Sequence, residues 1–288
     1  MVANGDALVC SHFTLTGAPG REPARYGFAE RVAAAAGAGF TGIGLLGIDH
    51  AQTVASGVSE AEMARVLADH EIAVAEVEFV LDWSAGPDEP ERQAVARYLE
   101  DTVWAVADAF GPRVVSVGEM VGAEQMPPFD AVVERFAALC DRAADHGLLV
   151  AIEFVPWSGI PDILTAAAIV HASERRNAGI NLDAWHWFRG RPSAEVLRGI
   201  AERIFVVQLD DADREVVGAL EDDTVLRRRY PGDGSFDLVG LLLLLRDAGV
   251  EAPISVEVMS TEHYALPAAE AARRAYDSTR WVLDRAWR

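Results

Sequence analysis

Eight short apolar runs, separated by longer amphipathic segments, constrain the fold of this chain more than any other feature. Each run is rich in Val, Ile or Leu with little polar alternation, which is typical of parallel strands buried on both faces. The predicted strands are Ala7–Leu15, Gly42–Leu46, Ile72–Phe79, Val114–Val117, Leu148–Phe154, Gly179–Asp183, Ile204–Gln208 and Ile254–Glu257. The predicted helices are Glu30–Ala36, Ser59–His70, Glu91–Ala109, Phe129–His146, Asp162–Ala172, Ser193–Arg203, Leu238–Ala248 and Ala268–Trp287.

The regular alternation of these elements predicts a parallel sheet with right-handed crossovers. Eight strand–helix units in 288 residues favour a closed (β/α)₈ TIM barrel over an open doubly wound sheet. No Gly-x-Gly-x-x-Gly motif follows the first strand, which weighs against a dinucleotide-binding fold. We therefore expect an α/β chain in which residues 1–288 form a single TIM-barrel domain.

Local signals support the helix boundaries. Gly37, Gly147 and Gly249 each follow a predicted helix, as expected for glycine at a helix C-terminus. Ser59 and Glu62 have the spacing of a capping box.

The charge balance excludes several classes of protein. The chain has 45 acidic against 25 basic residues, a formal net charge of −20, and no lysine. Such a field repels phosphate backbones, so nucleic acid is not expected as a partner. Without lysine, a Schiff-base aldolase, a pyridoxal-phosphate enzyme and a Walker-type P-loop are also excluded.

The expected location is the cytoplasm. Cys10 and Cys140 are too few for a disulfide framework or a thiolate metal site. No apolar run approaches the roughly 18 residues of a membrane span. The segment 1–6 has neither the basic nor the apolar region of a signal peptide.

Polar side chains end four consecutive predicted strands. Glu153, Asp183, Gln208 and Glu257 close strands five to eight, and barrel active sites form at this edge. A single acid there is more often a helix cap or an ion-pair partner. Three carboxylates at one barrel mouth repel one another unless a cation neutralises them, and oxygen ligands suit a hard divalent ion. The pattern favours Mn²⁺ or Mg²⁺, with Co²⁺ or Zn²⁺ as alternatives.

These residues resemble the xylose isomerase-like barrel superfamily, which includes ketose 3-epimerases, sugar phosphate isomerase/epimerase-like proteins, inosose dehydratases and endonuclease IV. The resemblance rests on the run Asn181-Leu-Asp-Ala-Trp-His186, on Glu153 and Glu257, and on Gln208 followed by Arg214. The stretch from Tyr230 to Asp237 also looks like the family's Pro-Gly-x-Gly loop.

The resemblance implies a set of site residues. Glu153, Asp183 and Glu257 match three metal ligands, and Gln208 stands at the fourth ligand position, where the family usually has histidine. His186 matches a residue that holds a substrate oxygen. Arg214 matches an arginine that binds substrate, and its charge is expected to offset the acids.

The implied activity is metal-dependent isomerisation or epimerisation of a sugar or related polyhydroxy carbonyl compound. A divalent ion acts as a Lewis acid, one of Glu153 and Glu257 removes a proton to give a cis-enediolate, and the other returns it. In dehydratase members the same site expels a β-hydroxyl group, so dehydration stays open. Relatives of this kind are commonly dimers or tetramers, which makes a homo-oligomer an open alternative.

Other residues near the predicted mouth have two interpretations. Trp157 and Trp185 could bind a sugar ring, although packing of loops against helices is the more common role. Glu78 is more often a cap or a surface acid at such a position. His12 is more often structural than part of a site.

Two other functions compete with an enzyme of sugar chemistry. Endonuclease IV has extra histidines after strand seven, where this chain has Asp211-Ala-Asp213, and its DNA substrate is opposed by the net charge. A non-catalytic barrel that has lost its metal is suggested by Gln208. The sequence favours the enzyme.

Overall fold

The apolar runs form eight parallel strands that close into a barrel in sequence order, with the last strand paired to the first. The computed structural model describes residues 7–20 and 22–288, so the segment 1–6 lies outside the described residues. The strands are β1 Leu8–Cys10, β2 Gly42–Leu46, β3 Ala73–Val80, β4 Val114–Val117, β5 Leu149–Glu153, β6 Ala178–Asp183, β7 Ile204–Leu209 and β8 Ile254–Val256. The predicted (β/α)₈ TIM barrel is confirmed.

Helices surround the barrel. In the described part of the chain they are α1 Phe28–Ala38, α2 Gly47–Ala55, α3 Glu60–Asp69, α4 Pro90–Phe110, α5 Phe129–Asp145, α6 Ile163–Ala172, α7 Ala184–Arg189, α8 Ala194–Gly199, α9 Leu220–Leu226, α10 Leu238–Asp247, α11 Thr261–Tyr264 and α12 Ala268–Ala286. Helices α2, α7, α9 and α11 were not predicted, because each is short and lies within a segment that connects longer elements.

Several helix ends follow the local signals, and one does not. Ser59 and Glu62 form the predicted capping box at the start of α3. Helix α1 continues through Gly37 to Ala38, and the next residue, Gly39, has a left-handed φ of 109° and donates its N–H to carbonyls of the preceding turn. The predicted end at Gly37 was therefore two residues early, since the left-handed position that glycine favours is residue 39.

Two predicted elements are shorter than their apolar patterns. The first strand ends at Cys10, and a 3-10 helix follows at His12–Leu15. The helix predicted at Ser193–Arg203 breaks after Gly199 into a separate 3-10 turn at Ala201–Arg203. Both changes lie where the chain turns at an end of the barrel.

The strand register brings the predicted site residues to one level. Asp183 pairs with Gln208 across β6 and β7, and Gln208 pairs with Ser255 on β8. Glu153 pairs with Asn181 on the neighbouring strand. Because all strands are parallel, these side chains share the carboxyl-terminal edge of the barrel. Among the described helices, none combines the length and apolar character that crossing a membrane would require.

Candidate active site

The four strand-end residues Glu153, Asp183, Gln208 and Glu257 are all buried at the carboxyl-terminal edge of the barrel. Glu153 and Asp183 are the last residues of β5 and β6, Gln208 lies within β7, and Glu257 directly follows β8. The structure therefore brings together the residues that the sequence selected, but it divides them into two groups with different partners.

The first group consists of Glu153, Asp183 and His186. Asp183 Oδ1 accepts the backbone N–H of His186 at 2.8 Å and so begins helix α7. This cap turns the imidazole toward β5, where its Nε2 lies 3.0 Å from Glu153 Oε1. Buried His186 Nδ1 has no hydrogen-bond partner in the described structure.

This group forms a possible site for a divalent metal. Each of Glu153, Asp183 and His186 offers one ligand atom, and these atoms lie within 4.8 Å of one another. Adjacent ligands of an octahedral ion with bonds of about 2.1 Å are separated by about 3.0 Å, and the Glu153–His186 distance matches this value. Two carboxylate oxygens and one imidazole suit a borderline or hard ion.

Gln208 belongs to the second group, around Glu257. Its Oε1 accepts a hydrogen bond from Asn181 Nδ2 at 2.8 Å, and its Nε2 donates to Glu257 Oε1 at 3.1 Å. Its oxygen, the atom that would ligate a cation, is therefore engaged by Asn181. Ser11 Oγ also donates to Glu257 Oε1, at 2.8 Å.

A buried arginine supplies the cation of this second group. Arg228 is 1% exposed, and its Nη1 lies 2.7 Å from Asp183 Oδ2, 3.0 Å from Glu257 Oε2 and in contact with Asp210 Oδ2. Arg214, the arginine expected to offset the acids, is exposed. The guanidinium found among these carboxylates is that of Arg228, so the structure assigns the charge-balancing role to a different arginine.

Burial and the charge of Arg228 shift the pKa values of the clustered acids in different directions. Burial raises the pKa of Glu257 to about 8, although Arg228 opposes this shift. Burial likewise raises the pKa of Asp210 well above its usual value. For Asp183, burial alone would raise the pKa, but the charges of Arg228 and His186 hold it below its usual range. Asp183 is therefore the most strongly stabilised anion of the cluster.

Two acids inside the barrel were not predicted to be site residues. Glu78 and Glu76 are buried side chains of β3, although a surface or capping role was expected for Glu78. Gln208 Nε2 approaches Glu78 Oε1 at 3.4 Å, and Ser255 Oγ donates to Glu76 Oε1 at 2.6 Å. Burial raises the pKa of Glu76 to about 7. Their alternate positions, both on one face of β3, were the signal that could have found them.

The two tryptophans predicted to bind substrate differ in exposure. Trp157 and Trp185 meet edge-to-face with ring centroids 5.9 Å apart, and each also contacts the His186 ring. Trp185 is fully buried, and its Nε1 donates to Asp223 Oδ2 at 3.1 Å. Trp157 is half-buried, so it has the accessible ring of the pair.

Sequence comparison defines the class of protein. The profile of the xylose isomerase-like TIM barrel family matches residues 32–282, and the chain belongs to this family. The family and the closed barrel agree with the resemblance noted from the sequence.

The chain is also similar to individual curated proteins. The chain is similar to an inosose isomerase of Bacillus licheniformis, with 33% identity over 53% of this chain and 55% of the relative. It is also similar to a 3-dehydroshikimate dehydratase of Pseudomonas aeruginosa, with 30% identity over 61% of this chain and 28% of the relative. The chain thus spans about half or less of the curated relatives it matches.

A solved structure of the IolI protein with a bound zinc atom superimposes with a TM-score of 0.83, covering 97% of this chain and 99% of that one at 22% identity. At this identity the similarity concerns the fold.

Proposed function

We propose that this protein is an isomerase or epimerase that moves a proton at a carbon beside the carbonyl group of a cyclic or open-chain polyhydroxy ketone. The inosose isomerase relative makes an inosose the first substrate class to test. The observation that carries the proposal is the contact between Glu153 and His186 at the barrel mouth, where Asp183 Oδ1 accepts the His186 N–H and Asp183 Oδ2 contacts Arg228.

Glu153 and Glu257 act as the acid–base pair. Glu153 ends β5 and Glu257 directly follows β8 at the same edge of the barrel, and the negative charge of Glu153 is close enough to contribute to the raised pKa of Glu257. One glutamate removes the proton from the substrate carbon, and the other returns a proton to the same carbon or to the carbonyl carbon. In the second case the hydroxyl proton of the first carbon passes to the former carbonyl oxygen, so substrate and product have the same composition in both reactions.

His186 orients the substrate. Its ring is fixed by the Asp183 cap and by the two tryptophans, and its Nε2 faces Glu153. It binds a substrate oxygen next to the carbon that loses the proton. A divalent metal held by Glu153, Asp183 and His186 would supply Lewis-acid polarisation of the carbonyl group.

Deuterium incorporation tests the proposal even when the product has not been identified. The protein is incubated in D₂O with a panel of inososes and ketoses, with Mn²⁺ or with a chelator, and the substrates are analysed by NMR. We expect exchange at one carbon beside the carbonyl group, and its loss in Glu153→Gln. Glu134→Gln, which changes an exposed acid of α5, is the matched control. Absence of exchange with every substrate in both conditions would contradict the proposal.

Dehydration is the second candidate, because the 3-dehydroshikimate dehydratase similarity extends over 61% of this chain. Proton removal beside a carbonyl group is also the first half of a β-elimination, and the enolate then expels a hydroxyl group as water. The same experiment separates the two reactions, since a dehydratase yields a product lighter by one water molecule, and an isomerase does not.

A further inference from the structure

Arg228 lies among three buried acidic side chains. Asp183, Asp210 and Glu257 are fully buried or nearly so, and burying several acids without a counter-charge is strongly unfavourable. Nη1 of Arg228 contacts all three. One guanidinium nitrogen therefore occupies the point where these carboxylates converge.

The backbone holds Arg228 at this point. The residues on either side of it form isolated bridges, Arg227 with Ser260 and Arg229 with Asp211, and the Arg228 N–H donates to the carbonyl of Met259 at 2.9 Å. In such an extended segment, alternate side chains point to opposite sides. Arg227 is accordingly exposed and Arg229 half-buried, whereas Arg228 is buried.

The rest of the guanidinium is also fixed. Thr224 Oγ1 accepts hydrogen bonds from Nε at 3.1 Å and from Nη2 at 2.8 Å. Nη1 is thereby directed at the acids. A fixed guanidinium in this position leaves neither Asp183 Oδ2 nor Glu257 Oε2 available to a second cation.

Gln208 complements this arrangement. It stands at the position that holds histidine in the proteins this sequence resembles, and it presents its amide N–H, not a lone pair, to Glu257. A neutral donor is compatible with a nearby guanidinium.

We propose that Arg228 is a positioning residue whose guanidinium replaces a divalent cation among Asp183, Asp210 and Glu257. Glu153, His186 and the remaining edge of Asp183 are then the part of the cluster that stays open to a metal or a substrate oxygen. The inference rests on the proposed function for the role of Glu153, Asp183 and His186. Its tests measure cation binding, so their outcome does not depend on whether the protein turns over a substrate.

The first test removes the guanidinium. Mn²⁺ affinity of the wild type, Arg228→Met and Arg228→Lys is measured by electron paramagnetic resonance, and melting temperatures are recorded with Mn²⁺ and with a chelator. Arg228→Met is expected to bind Mn²⁺ at least tenfold more tightly than the wild type and to melt at a higher temperature with Mn²⁺ than with the chelator. Arg228→Lys keeps a charge and should gain less. A folded Arg228→Met protein that binds Mn²⁺ no better than the wild type would overturn the proposal, as would a chain that stays unfolded with Mn²⁺ present.

The second test leaves Arg228 in place and does not depend on that variant. Glu257→Gln should change the Mn²⁺ affinity of the wild type by less than twofold, because Arg228 already holds this carboxylate. Glu153→Gln should lower the affinity at least tenfold. An equal loss in both variants would show that Glu257 ligates the ion, and the guanidinium would then not be its substitute.

Discussion

His186 Nε2 and Glu153 Oε1 are 3.0 Å apart, although the two residues belong to consecutive strand–helix units. The pair arises because Glu153 is the last residue of β5 and because Asp183 caps the short helix that carries His186. A carboxylate in contact with an imidazole at the barrel mouth can accept a proton, ligate a cation or orient a substrate oxygen. The pair is therefore the most informative place for substitutions.

Glu153→Gln is expected to abolish turnover while leaving the fold intact. Loss of an acid–base group lowers kcat by roughly 10²–10⁴-fold, and glutamine has nearly the same volume as glutamate. Steady-state kinetics and circular dichroism would measure the two effects separately. Glu134→Gln, at an exposed position of α5, should keep wild-type kinetics. Retained turnover in Glu153→Gln would exclude Glu153 from proton transfer.

Substitutions of the two tryptophans should have different effects, one on substrate binding and the other on stability. Trp157→Ala removes a half-buried ring and should raise KM several-fold with little change in melting temperature. Trp185→Phe removes the indole donor to buried Asp223 Oδ2, which keeps its contacts with Arg189, so the loss of one hydrogen bond should cost about 1 kcal/mol of unfolding free energy. The opposite pattern, with KM affected only by Trp185→Phe, would place the substrate elsewhere.

The barrel could be predicted from the sequence because buried parallel strands are nearly continuous apolar runs. Gly42–Leu46 and Val114–Val117 match the structure at both ends. The acids Glu153, Asp183 and Glu257 could be selected because each lies at or next to the end of an apolar run that was predicted as a strand. Their common level in the barrel comes from the parallel register of β5 to β8.

Arg228 could not be predicted in the same way. It lies in the basic run Arg227–Arg229, which is typical of a helix end, and no apolar pattern surrounds this run. Its burial depends on two antiparallel bridges made by its neighbours, Arg227 with Ser260 and Arg229 with Asp211. The partner residues of both bridges lie elsewhere in the sequence. Arg214 was selected instead because its spacing from Gln208 resembled a family motif, and spacing along a loop does not determine which side chain turns inward.

A buried histidine away from the site should make stability depend on pH. His263 Nε2 donates to the Thr14 carbonyl at 2.6 Å, its Nδ1 accepts from Tyr230 Oη at 2.8 Å, and burial lowers its pKa to about 4. Above pH 6.5 the ring is neutral in both states and contributes no pH dependence. As the pH falls from about 6.5 to about 4, the unfolded chain takes up a proton that the folded one resists, so stability falls, by roughly 3 kcal/mol for the full shift.

Comparing His263→Gln with the wild type isolates this effect from the many titrating acids. The variant should be less stable at pH 7, and its deficit should shrink as the pH approaches 4, as measured by urea unfolding. His171→Gln, at an exposed position, should track the wild type at every pH. A deficit that stays constant with pH would contradict the neutral state of His263.

Gln208→His should not restore a four-ligand metal site by itself. The substitution removes the oxygen that Asn181 Nδ2 uses, at a cost of about 1–3 kcal/mol of unfolding free energy, and Arg228 still holds Asp183 and Glu257. Mn²⁺ affinity should therefore stay within about twofold of the wild type. Combining Gln208→His with Arg228→Met frees both carboxylates and adds an imidazole, so the double variant should gain more affinity than the two single changes multiplied together. Tight Mn²⁺ binding by Gln208→His alone would mean that the imidazole displaces the guanidinium, and that residue 208, not Arg228, determines which cation this barrel holds.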